Sequence, residues 1–285
     1  MVSVVIPLYN KENSILDTIH SVLNQTYDDF ELLIINDGST DNSLSVVSNI
    51  QDPRIKIIDK PNGGVSSARN VGILNSQNEY IAFLDGDDLW FETHLETLVN
   101  SIELLDKNDI GGIGTTFYKS ENKIFDEKKF IKNKPLIIDD YFEFMSSPIP
   151  RFNSSTLMVK KSKIMETGLF DESLKYGEDV EFWYKLFSKY TLIYLNTITT
   201  IYFVAAENRS AHYVMPLDKR FLKYNYLNKS KSEKKYLDKL VALVLIDYFN
   251  QKAYKEVIIV LKMYCGRLFG VSDYILKLTK NKLKK

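Results

Sequence analysis

Three carboxylates occur within four positions of this chain, at Asp85, Asp87 and Asp88, with Gly86 between the first two. They follow residues 80–84, a mostly apolar run that predicts a buried strand. Carboxylates this close repel one another unless a positive charge lies between them, and a divalent cation with oxygen ligands is the common solution. Gly86 would let the backbone turn sharply, so that Asp85 and Asp87 face one space. These residues predict a cation site, with a plain acidic turn as the alternative.

Three further side chains each admit a binding role and a structural role. Tyr9, two positions after Pro7, could stack on a nucleobase or cap the core. Asp37 could accept a hydrogen bond from a base N–H, or it could form an N-cap or a turn. Arg69 lies one turn into a predicted helix, where it could donate to an anion or lie solvated at the surface. Taken singly, these residues leave both interpretations open.

The elements that position these side chains follow from hydrophobic periodicity. The predicted strands are residues 2–8, 30–36, 54–59 and 80–84, and the predicted helices are residues 13–25, 41–50, 65–76 and 91–105. This alternation predicts an α/β fold with a doubly wound sheet. The polar turns at residues 36–39 and 85–88 should then open on the same edge of the sheet, where such folds bind ligands.

The later part of the chain is less regular. Further strands are predicted at residues 112–118, 154–159 and 198–204, with a Lys-rich loop near residues 119–134. A helix is predicted to begin near Gly177 and to end near Tyr190. From Met215 onward the pattern is helical to the end.

Composition and charge narrow the class of protein. The 285 residues are 45% hydrophobic and 26% charged, which is typical of a globular chain with a good core. Cys265 is the single cysteine, no signal peptide is evident, and no run of 18 apolar residues occurs, so we expect a cytoplasmic protein. Residues 219–285 hold 17 Lys and Arg against 5 Asp and Glu, although the whole chain is neutral. This basic tail predicts either an anionic partner, such as a lipid surface, or a packing role.

Four segments that occur in order within the first 90 residues carry a family resemblance. They are VVIPLYN at 4–10, INDGSTD at 35–41, NGG with SARN within 62–70, and DGDD at 85–88. The series closely resembles the inverting glycosyltransferases of family 2, and it extends to Gly177-Glu178-Asp179. The resemblance implies the GT-A fold, which is a Rossmann-like, nucleotide-binding mixed sheet flanked by helices. It covers roughly residues 1–212, so we predict a catalytic domain at 1–213 and a basic helical extension at 214–285.

The resemblance implies a nucleotide-sugar donor, most often linked to UDP. In such enzymes the base stacks on the aromatic residue that matches Tyr9, beside Pro7. The residues that match Asp37 and Arg69 read the base. The first aspartate of the Asp85-Gly86-Asp87 segment contacts the ribose or the donor sugar.

The resemblance also implies a divalent cation, Mn²⁺ or Mg²⁺, on the donor diphosphate. Asp87 matches its ligand, and His212 matches the place where some relatives supply a third ligand. Arg209 and Ser210 lie where relatives touch the diphosphate or the acceptor. Such a cation would neutralise the leaving group as the bond from sugar to phosphate breaks.

The acidic pair Glu178-Asp179 becomes interpretable through the same resemblance. Asp179 shares a helical stripe with Phe182 and Leu186, so it should face inward. Its place in the first helical turn favours an ionised carboxylate. In the family, the matching aspartate takes a proton from the acceptor hydroxyl as that oxygen attacks the anomeric carbon. We therefore predict Asp179 as the general base, with Glu178 beside it, and acids that only cap the helix are the alternative.

Together these features predict a metal-dependent, inverting glycosyltransferase that moves a sugar from a UDP-linked donor to a hydroxyl of a glycan or a lipid-linked glycan. The predicted location is the cytoplasm, with peripheral contact at the inner membrane face, and no nucleic acid partner is predicted. A nucleotidyltransferase is the alternative enzyme, although no basic glycine-rich segment follows the first strand. A non-catalytic scaffold of a glycan-assembly complex is the other alternative, although Asp85, Asp87 and Asp179 are all present.

Overall fold

The computed structural model describes residues 1–102, 109–120, 134–147, 152–203, 214–222, 226–264, 270–272 and 274–275. The strands are β1 (Val2–Leu8), β2 (Phe30–Asp37), β3 (Ile55–Lys60), β4 (Tyr80–Phe83), β5 (Leu89–Trp90), β6 (Ile110–Ser120), β7 (Leu136–Ile138), β8 (Leu157–Lys160) and β9 (Thr191–Phe203). The helices are α1 (Ile15–Leu23), α2 (Ser43–Ser48), α3 (Val65–Asn75), α4 (His94–Val99), α5 (Tyr141–Met145), α6 (Lys161–Thr167), α7 (Glu178–Phe187), α8 (Lys231–Asn250) and α9 (Tyr254–Met263). Short 3₁₀ helices lie at Ser154–Thr156 and Leu217–Lys219.

The strands form one mixed sheet in the order β3-β2-β1-β4-β8-β6-β9-β5, with β7 paired to β9. β1 pairs in parallel with β2 and β4, and β2 pairs in parallel with β3. β8 is antiparallel to both β4 and β6, so the strand direction changes there. β1 and β2 are buried along almost their whole length, as expected for parallel strands that are covered on both faces.

Helix α3 packs closely against β1. A Cβ atom added at Gly72 would lie 2.3 Å from Cγ1 of Val5, so this approach requires glycine. Asn70 holds α3 to a later segment, because its side chain donates to the Phe170 carbonyl oxygen at 3.0 Å and accepts from the Phe170 N–H at 2.9 Å. These contacts set the position of Arg69 on the same helix.

An aromatic cluster joins α7 to the end of β4. The ring centres of Phe83 and Trp183 lie 6.0 Å apart, and Phe170 stacks on Phe182 at 4.1 Å. Phe83 also contacts Phe170 edge-on at 5.6 Å. Aromatic pairs at these separations stabilise packing beyond the burial of their area. The cluster holds the first turn of α7 near the residues that follow β4.

The chain divides into two compact units, and the second is largely helical. It comprises Asp140–Pro150, Leu174–Gly177 and Ser210–Lys285. Its described core includes Leu245, Tyr248, Val260 and Tyr264. Among the described helices, none combines the length and the hydropathy that a membrane span requires. The domain boundary at residue 213 stays a prediction.

Several sequence predictions differ from the structure. β1 has the predicted bounds, but β9 begins at Thr191 rather than at 198, and residues 154–159 divide into a 3₁₀ helix and β8. α4 ends at Val99, and the region after 215 is interrupted, because α8 begins only at Lys231 and residues 251–253 separate it from α9. The sequence patterns do not predict β5 and β7, which hold only two and three residues and pair with β9. Cys265 lies outside the described residues.

Candidate active site

The loops after β1, β2 and β4 meet at one edge of the sheet. Because these strands are parallel, their carboxyl ends lie side by side. The segment after β1 links the other two loops. The Asn10 N–H donates to Ser39 Oγ at 3.1 Å, and Ser14 Oγ donates to the Gly86 carbonyl oxygen at 3.0 Å. The prediction that the two polar turns open on the same edge is confirmed.

Two carboxylates of the acidic triplet are held by cationic side chains. Asp85 Oδ1 accepts from Arg69 Nη2 at 2.7 Å. Asp87 Oδ2 accepts from Lys11 Nζ at 2.6 Å. Both aspartates are partly exposed, so both are within reach of a ligand at the sheet edge.

The third carboxylate, Asp88, turns into the protein. It is fully buried, where Ser155 Oγ donates to its Oδ2 at 2.5 Å and the Phe203 N–H donates to its Oδ1 at 3.3 Å. Burial, and then the charges of Asp85 and Asp87, raises the pKa of Asp88 well above its ordinary value. Asp88 therefore anchors the turn from inside and leaves the other two to face a ligand.

Gly86 lies in a backbone turn, as predicted: residues 86–87 form a turn, and the Asp88 N–H donates to the Asp85 carbonyl oxygen at 3.0 Å. Gly86 is not among the glycines with positive φ. A Cβ atom at this position would lie 3.3 Å from the Pro7 carbonyl oxygen. The glycine thus also permits a close approach between the turn and β1. Contact of Gly86 or Pro7 with a donor stays a prediction.

Asp37 is buried and organises the loop before α3. Its Oδ1 accepts from Lys60 Nζ at 2.5 Å and from the Gly63 N–H at 2.9 Å. Its Oδ2 accepts from the Gly64 N–H at 2.7 Å. These three bonds favour the structural alternative for Asp37, a turn-stabilising residue, and base recognition by its carboxylate stays a prediction.

Tyr9 follows β1 and is 42% exposed. A ring that is open on one side at a strand end can stack on a planar group. This exposure is compatible with the predicted stacking on a nucleobase, which stays a prediction.

Arg69 bridges the end of β4 and the start of α7. It is buried, and its Nη2 donates to Asp85 while its Nη1 donates to Glu178 Oε1 at 3.2 Å. Its guanidinium also lies 5.4 Å from the ring centre of Phe170. Burial acts to lower the pKa of Arg69, but the charges of Asp85, Glu178 and Asp179 outweigh it and raise that pKa. The alternative of a solvated surface arginine is therefore wrong, and base recognition by Arg69 stays a prediction.

Glu178 and Asp179 begin α7 in different environments. Glu178 is paired with Arg69, whereas Asp179 Oδ1 accepts from the Val180 N–H at 2.7 Å. Burial, together with the charge of Glu178, raises the pKa of Asp179 to about 7, and Arg69 only partly opposes this. The helix N-terminus was expected to keep Asp179 ionised, and that expectation is corrected: the hydrogen bond from the Val180 N–H lowers this pKa, but burial and the charge of Glu178 outweigh it. A carboxyl group with a pKa near 7 suits a general base at neutral pH.

The predicted metal site is only partly described. The described residues include no group of three or more His, Cys, Asp or Glu side chains arranged to hold a metal ion. Asp87 lies at the sheet edge and offers carboxylate oxygens, the donors that Mg²⁺ and Mn²⁺ prefer. His212, Arg209 and Ser210 lie outside the described residues. Metal binding therefore stays a prediction that rests on Asp87.

Two residues that contact the site were not singled out from the sequence. Lys11 pairs with Asp87. Because Lys11 directly follows Asn10 in the loop after β1, its sequence position could have indicated a role at this site. Ser155 Oγ accepts from the Asp85 N–H at 3.1 Å, although the two residues are 70 positions apart. No local pattern could have indicated that contact.

Known proteins share this sequence pattern. The model of glycosyl transferase family 2 matches residues 3–164. An uncharacterized glycosyltransferase of Rickettsia typhi is 34% identical over 188 residues, which are 65% of this chain and 58% of that protein. Glycosyltransferase GlyG of Streptococcus pneumoniae is 28% identical over 179 residues, 60% of this chain and 58% of that protein. This chain thus spans less than two thirds of both relatives, and the family resemblance of the four sequence segments is confirmed.

The fold also has solved counterparts. Residues 1–349 of S. aureus TarS, in complex with UDP-GlcNAc, match with a TM-score of 0.57 at 18% identity, covering 87% of this chain and 66% of that one. The same fragment in complex with UDP matches with a TM-score of 0.57 and 18% identity, covering 87% and 65% of the two chains. At this identity the likeness concerns the fold, and it confirms the predicted class: a mixed α/β sheet flanked by helices, with C-terminal helices.

Proposed function

This chain belongs to glycosyl transferase family 2, and from that premise we propose that it transfers a sugar, with inversion, from a UDP-linked donor to a hydroxyl of a glycan or a lipid-linked glycan. The observation that supports this most strongly is the bridge that Arg69 makes to Asp85 and Glu178, at 2.7 and 3.2 Å. It joins the strand end that carries the acidic triplet to the helix turn that carries Asp179. A donor-binding edge and a candidate base thus belong to one centre.

The donor binds at the sheet edge formed by the loops after β1, β2 and β4. TarS structures of the same fold hold UDP and UDP-GlcNAc, which supports a uridine nucleotide for this chain. Tyr9, with its exposed ring, stacks on the base beside Pro7. Asp85 orients the ribose or the donor sugar, because it is the partly exposed carboxylate nearest to Arg69.

Mn²⁺ or Mg²⁺ assists donor binding in this proposal. Asp87 would hold the cation, and His212 would be a third ligand as the resemblance implies. The charge of the edge supports this assignment, since an anionic diphosphate meets Asp85 and Asp87 there and needs added positive charge. When bound, the cation would neutralise the diphosphate as it leaves.

Asp179 serves as the general base. Its carboxylate accepts the proton of the acceptor hydroxyl, and the hydroxyl oxygen forms a bond to the anomeric carbon. The bond from that carbon to the diphosphate oxygen breaks, and its electron pair leaves with the diphosphate. Attack from the face opposite the leaving group inverts the anomeric configuration. The pKa of about 7 supports this role, because proton transfer is most efficient near the working pH.

Arg69 acts as a positioning residue for both halves of the site. Through Asp85 it holds a donor-side carboxylate, and through Glu178 it holds the first turn of α7. Its positive charge also opposes the rise in the pKa of Asp179. Removing Arg69 should therefore disturb the geometry and the protonation of the base at the same time.

The proposed catalytic domain is residues 1–213, and residues 214–285 form the basic extension. Residues 219–285 hold 17 Lys and Arg but only 5 Asp and Glu. This excess of positive charge supports a location at the inner membrane face, close to lipid-linked acceptors.

The proposal can be tested by mixing the purified full chain with a panel of UDP-sugars in the presence of Mn²⁺. We expect calorimetry to detect Mn²⁺-dependent UDP binding and chromatography to detect slow hydrolysis of one UDP-sugar. Absence of UDP binding with either cation would contradict the donor assignment. UDP binding without hydrolysis or transfer, on any donor and acceptor tried, would favour the scaffold. Pyrophosphate release from a nucleoside triphosphate and a sugar phosphate would favour the nucleotidyltransferase.

A further inference from the structure

Helix α9 has one face in the core of the second unit and an apolar face exposed to solvent. Val260 is fully buried, and Tyr264, directly after the helix, is buried in the same cluster. Away from this buried side, Tyr254 and Ile258 are 54% and 53% exposed. Tyr254, Ile258 and Leu261 have the i, i+4, i+7 spacing of a helical stripe, and Leu261 is exposed too. We call Tyr254, Ile258 and Leu261 the α9 face.

The α9 face continues onto the end of α8. Phe249 is exposed, and its ring centre lies 5.9 Å from that of Tyr254. Tyr and Phe at the border of an apolar stripe suit the boundary between water and an apolar phase. The exposed apolar surface therefore extends beyond one helix.

Lysines lie among these apolar residues. Lys255 and Lys262 are exposed on α9, and no ion pair to either is found within the described residues. The surrounding region is also basic, with 17 Lys and Arg against 5 Asp and Glu over residues 219–285. A helix with an apolar stripe and interspersed lysines is typical of elements that lie in the interface of an anionic membrane.

We propose that the α9 face inserts into the headgroup region of a bilayer that contains anionic lipid, with Lys255 and Lys262 against the lipid phosphates. Long lysine side chains can extend from a partly buried helix to the headgroups. A second copy of the chain fits less well, because a two-fold contact through this face would bring the lysines of both copies together. The inference rests on the proposed location at the inner membrane face and deepens it by naming the surface that makes the contact; vesicle binding is measured separately from UDP binding, so the two proposals can fail independently.

The test uses the full chain and vesicles made of equal parts of phosphatidylglycerol and phosphatidylcholine. We expect sedimentation with these vesicles at about 0.05 M NaCl and release at about 0.5 M, because added salt screens exposed charges. Vesicles of pure phosphatidylcholine should bind the chain much less.

Two variants separate the apolar and the charged contributions. Ile258→Asp should weaken vesicle binding by about tenfold or more, because it removes a large apolar side chain and adds a repelled charge. Leu74→Asp on α3 is the matched control, since Leu74 is 54% exposed and lies in the other unit; it should bind vesicles like the unaltered chain. Lys255→Gln with Lys262→Gln should weaken binding by about tenfold to thirtyfold, at roughly a factor of five for each charge. UDP-sugar hydrolysis should persist in all of these variants.

Four results would overturn the proposal. One is no binding to anionic vesicles at low salt, and another is equal loss of binding in Ile258→Asp and Leu74→Asp. The third is a dimer, seen by analytical ultracentrifugation and dissociated by Ile258→Asp, in a chain that ignores vesicles. The fourth concerns a shortened chain that ends at residue 276 and so lacks the five lysines of residues 277–285. If the shortened chain loses all vesicle binding while Ile258→Asp still binds, the last residues make the contact and α9 does not.

Discussion

At the strand ends, three carboxylates each accept a hydrogen bond from a cationic side chain: Asp37 from Lys60 at 2.5 Å, Asp85 from Arg69 at 2.7 Å, and Asp87 from Lys11 at 2.6 Å. At the start of α7, Asp179 accepts instead from a backbone N–H, and the adjacent carboxylate of Glu178 takes the contact with Arg69. The same chemical group thus occupies two electrostatic settings within one unit of the fold.

The difference between these two settings suits the carboxylates at the strand ends to binding, and it suits Asp179 to proton transfer. A carboxylate that is hydrogen-bonded to a cationic side chain is held in one orientation, which suits contacts with a sugar or a metal ion. A carboxyl group that is desolvated and lies beside a like charge holds its proton more tightly, and the pKa of Asp179 rises to about 7. A group with this pKa can accept a proton and release it again near neutral pH.

Asp179→Asn should have the largest effect on the proposed reaction. The amide keeps the shape of the side chain but cannot accept the acceptor proton, so turnover should fall by roughly 10²–10⁴-fold. UDP binding, measured by calorimetry, should change little. Glu181→Gln is the control on the same helix, because Glu181 pairs with Lys185 at 3.1 Å and has no proposed catalytic role. Near-normal transfer by Asp179→Asn would move the base role to Glu178.

Asp87→Ala should have the next largest effect, on metal-dependent donor binding. Loss of a ligand should reduce Mn²⁺-dependent UDP affinity at least as much as loss of an outer-shell partner does, about 10–100-fold. Calorimetry with and without Mn²⁺ measures this. A chelator should have the same effect on the unaltered chain and no further effect on the variant. Full activity in excess chelator would exclude the proposed role of the cation.

The pH profile should move in opposite directions when the two neighbours of Asp179 are neutralised. Activity requires the ionised base, so kcat/KM should fall by about tenfold for each pH unit below a pKa of about 7. Arg69→Met removes a charge that lowers this pKa, so the acidic limb should shift to higher pH. Glu178→Gln removes a charge that raises it, so the limb should shift to lower pH.

Arg69→Lys provides the control for geometry. It keeps the positive charge but cannot donate to two carboxylates in the same planar arrangement, so kcat should fall while the acidic limb stays nearly in place. Identical profiles for Arg69→Met and Glu178→Gln would mean that Asp179 is not the group that titrates.

Lys11→Met should have the smallest effect of these variants, and it should strengthen Mn²⁺ binding. Lys11 holds the carboxylate that we propose as the metal ligand, so its ammonium competes with the cation. Removing it should raise Mn²⁺ affinity in the absence of donor by about threefold to tenfold, or roughly 1 kcal/mol. Lys60→Met, which removes the analogous partner of Asp37, should leave Mn²⁺ affinity unchanged. Weaker Mn²⁺ binding by Lys11→Met would show that Lys11 supports the metal site.

The amino-acid sequence by itself determined the first half of the fold and the family. β1 has its predicted bounds, and the predicted strands at 30–36, 54–59 and 80–84 lie within one residue of β2, β3 and β4, because apolar runs between polar turns are a local signal. The sequence also predicted that Asp85 and Asp87 follow a strand at the ligand-binding edge of the sheet, since their spacing and order are written in the chain. The two shortest strands were not predicted, because β5 and β7 are two and three residues long and form only through pairing with β9.

Only the tertiary structure decided how the site residues are charged and paired. Arg69 and Glu178 are 109 positions apart, so no local pattern indicates that α3 and α7 meet on one guanidinium. The sequence placed Asp179 at a helix N-terminus, which favours the charged form. Folding partly buried it beside Glu178, and the loss of water around the carboxylate, together with the like charge, raised its pKa. Charge state depends on everything that surrounds a group in space, and that environment is assembled from residues that are distant along the chain.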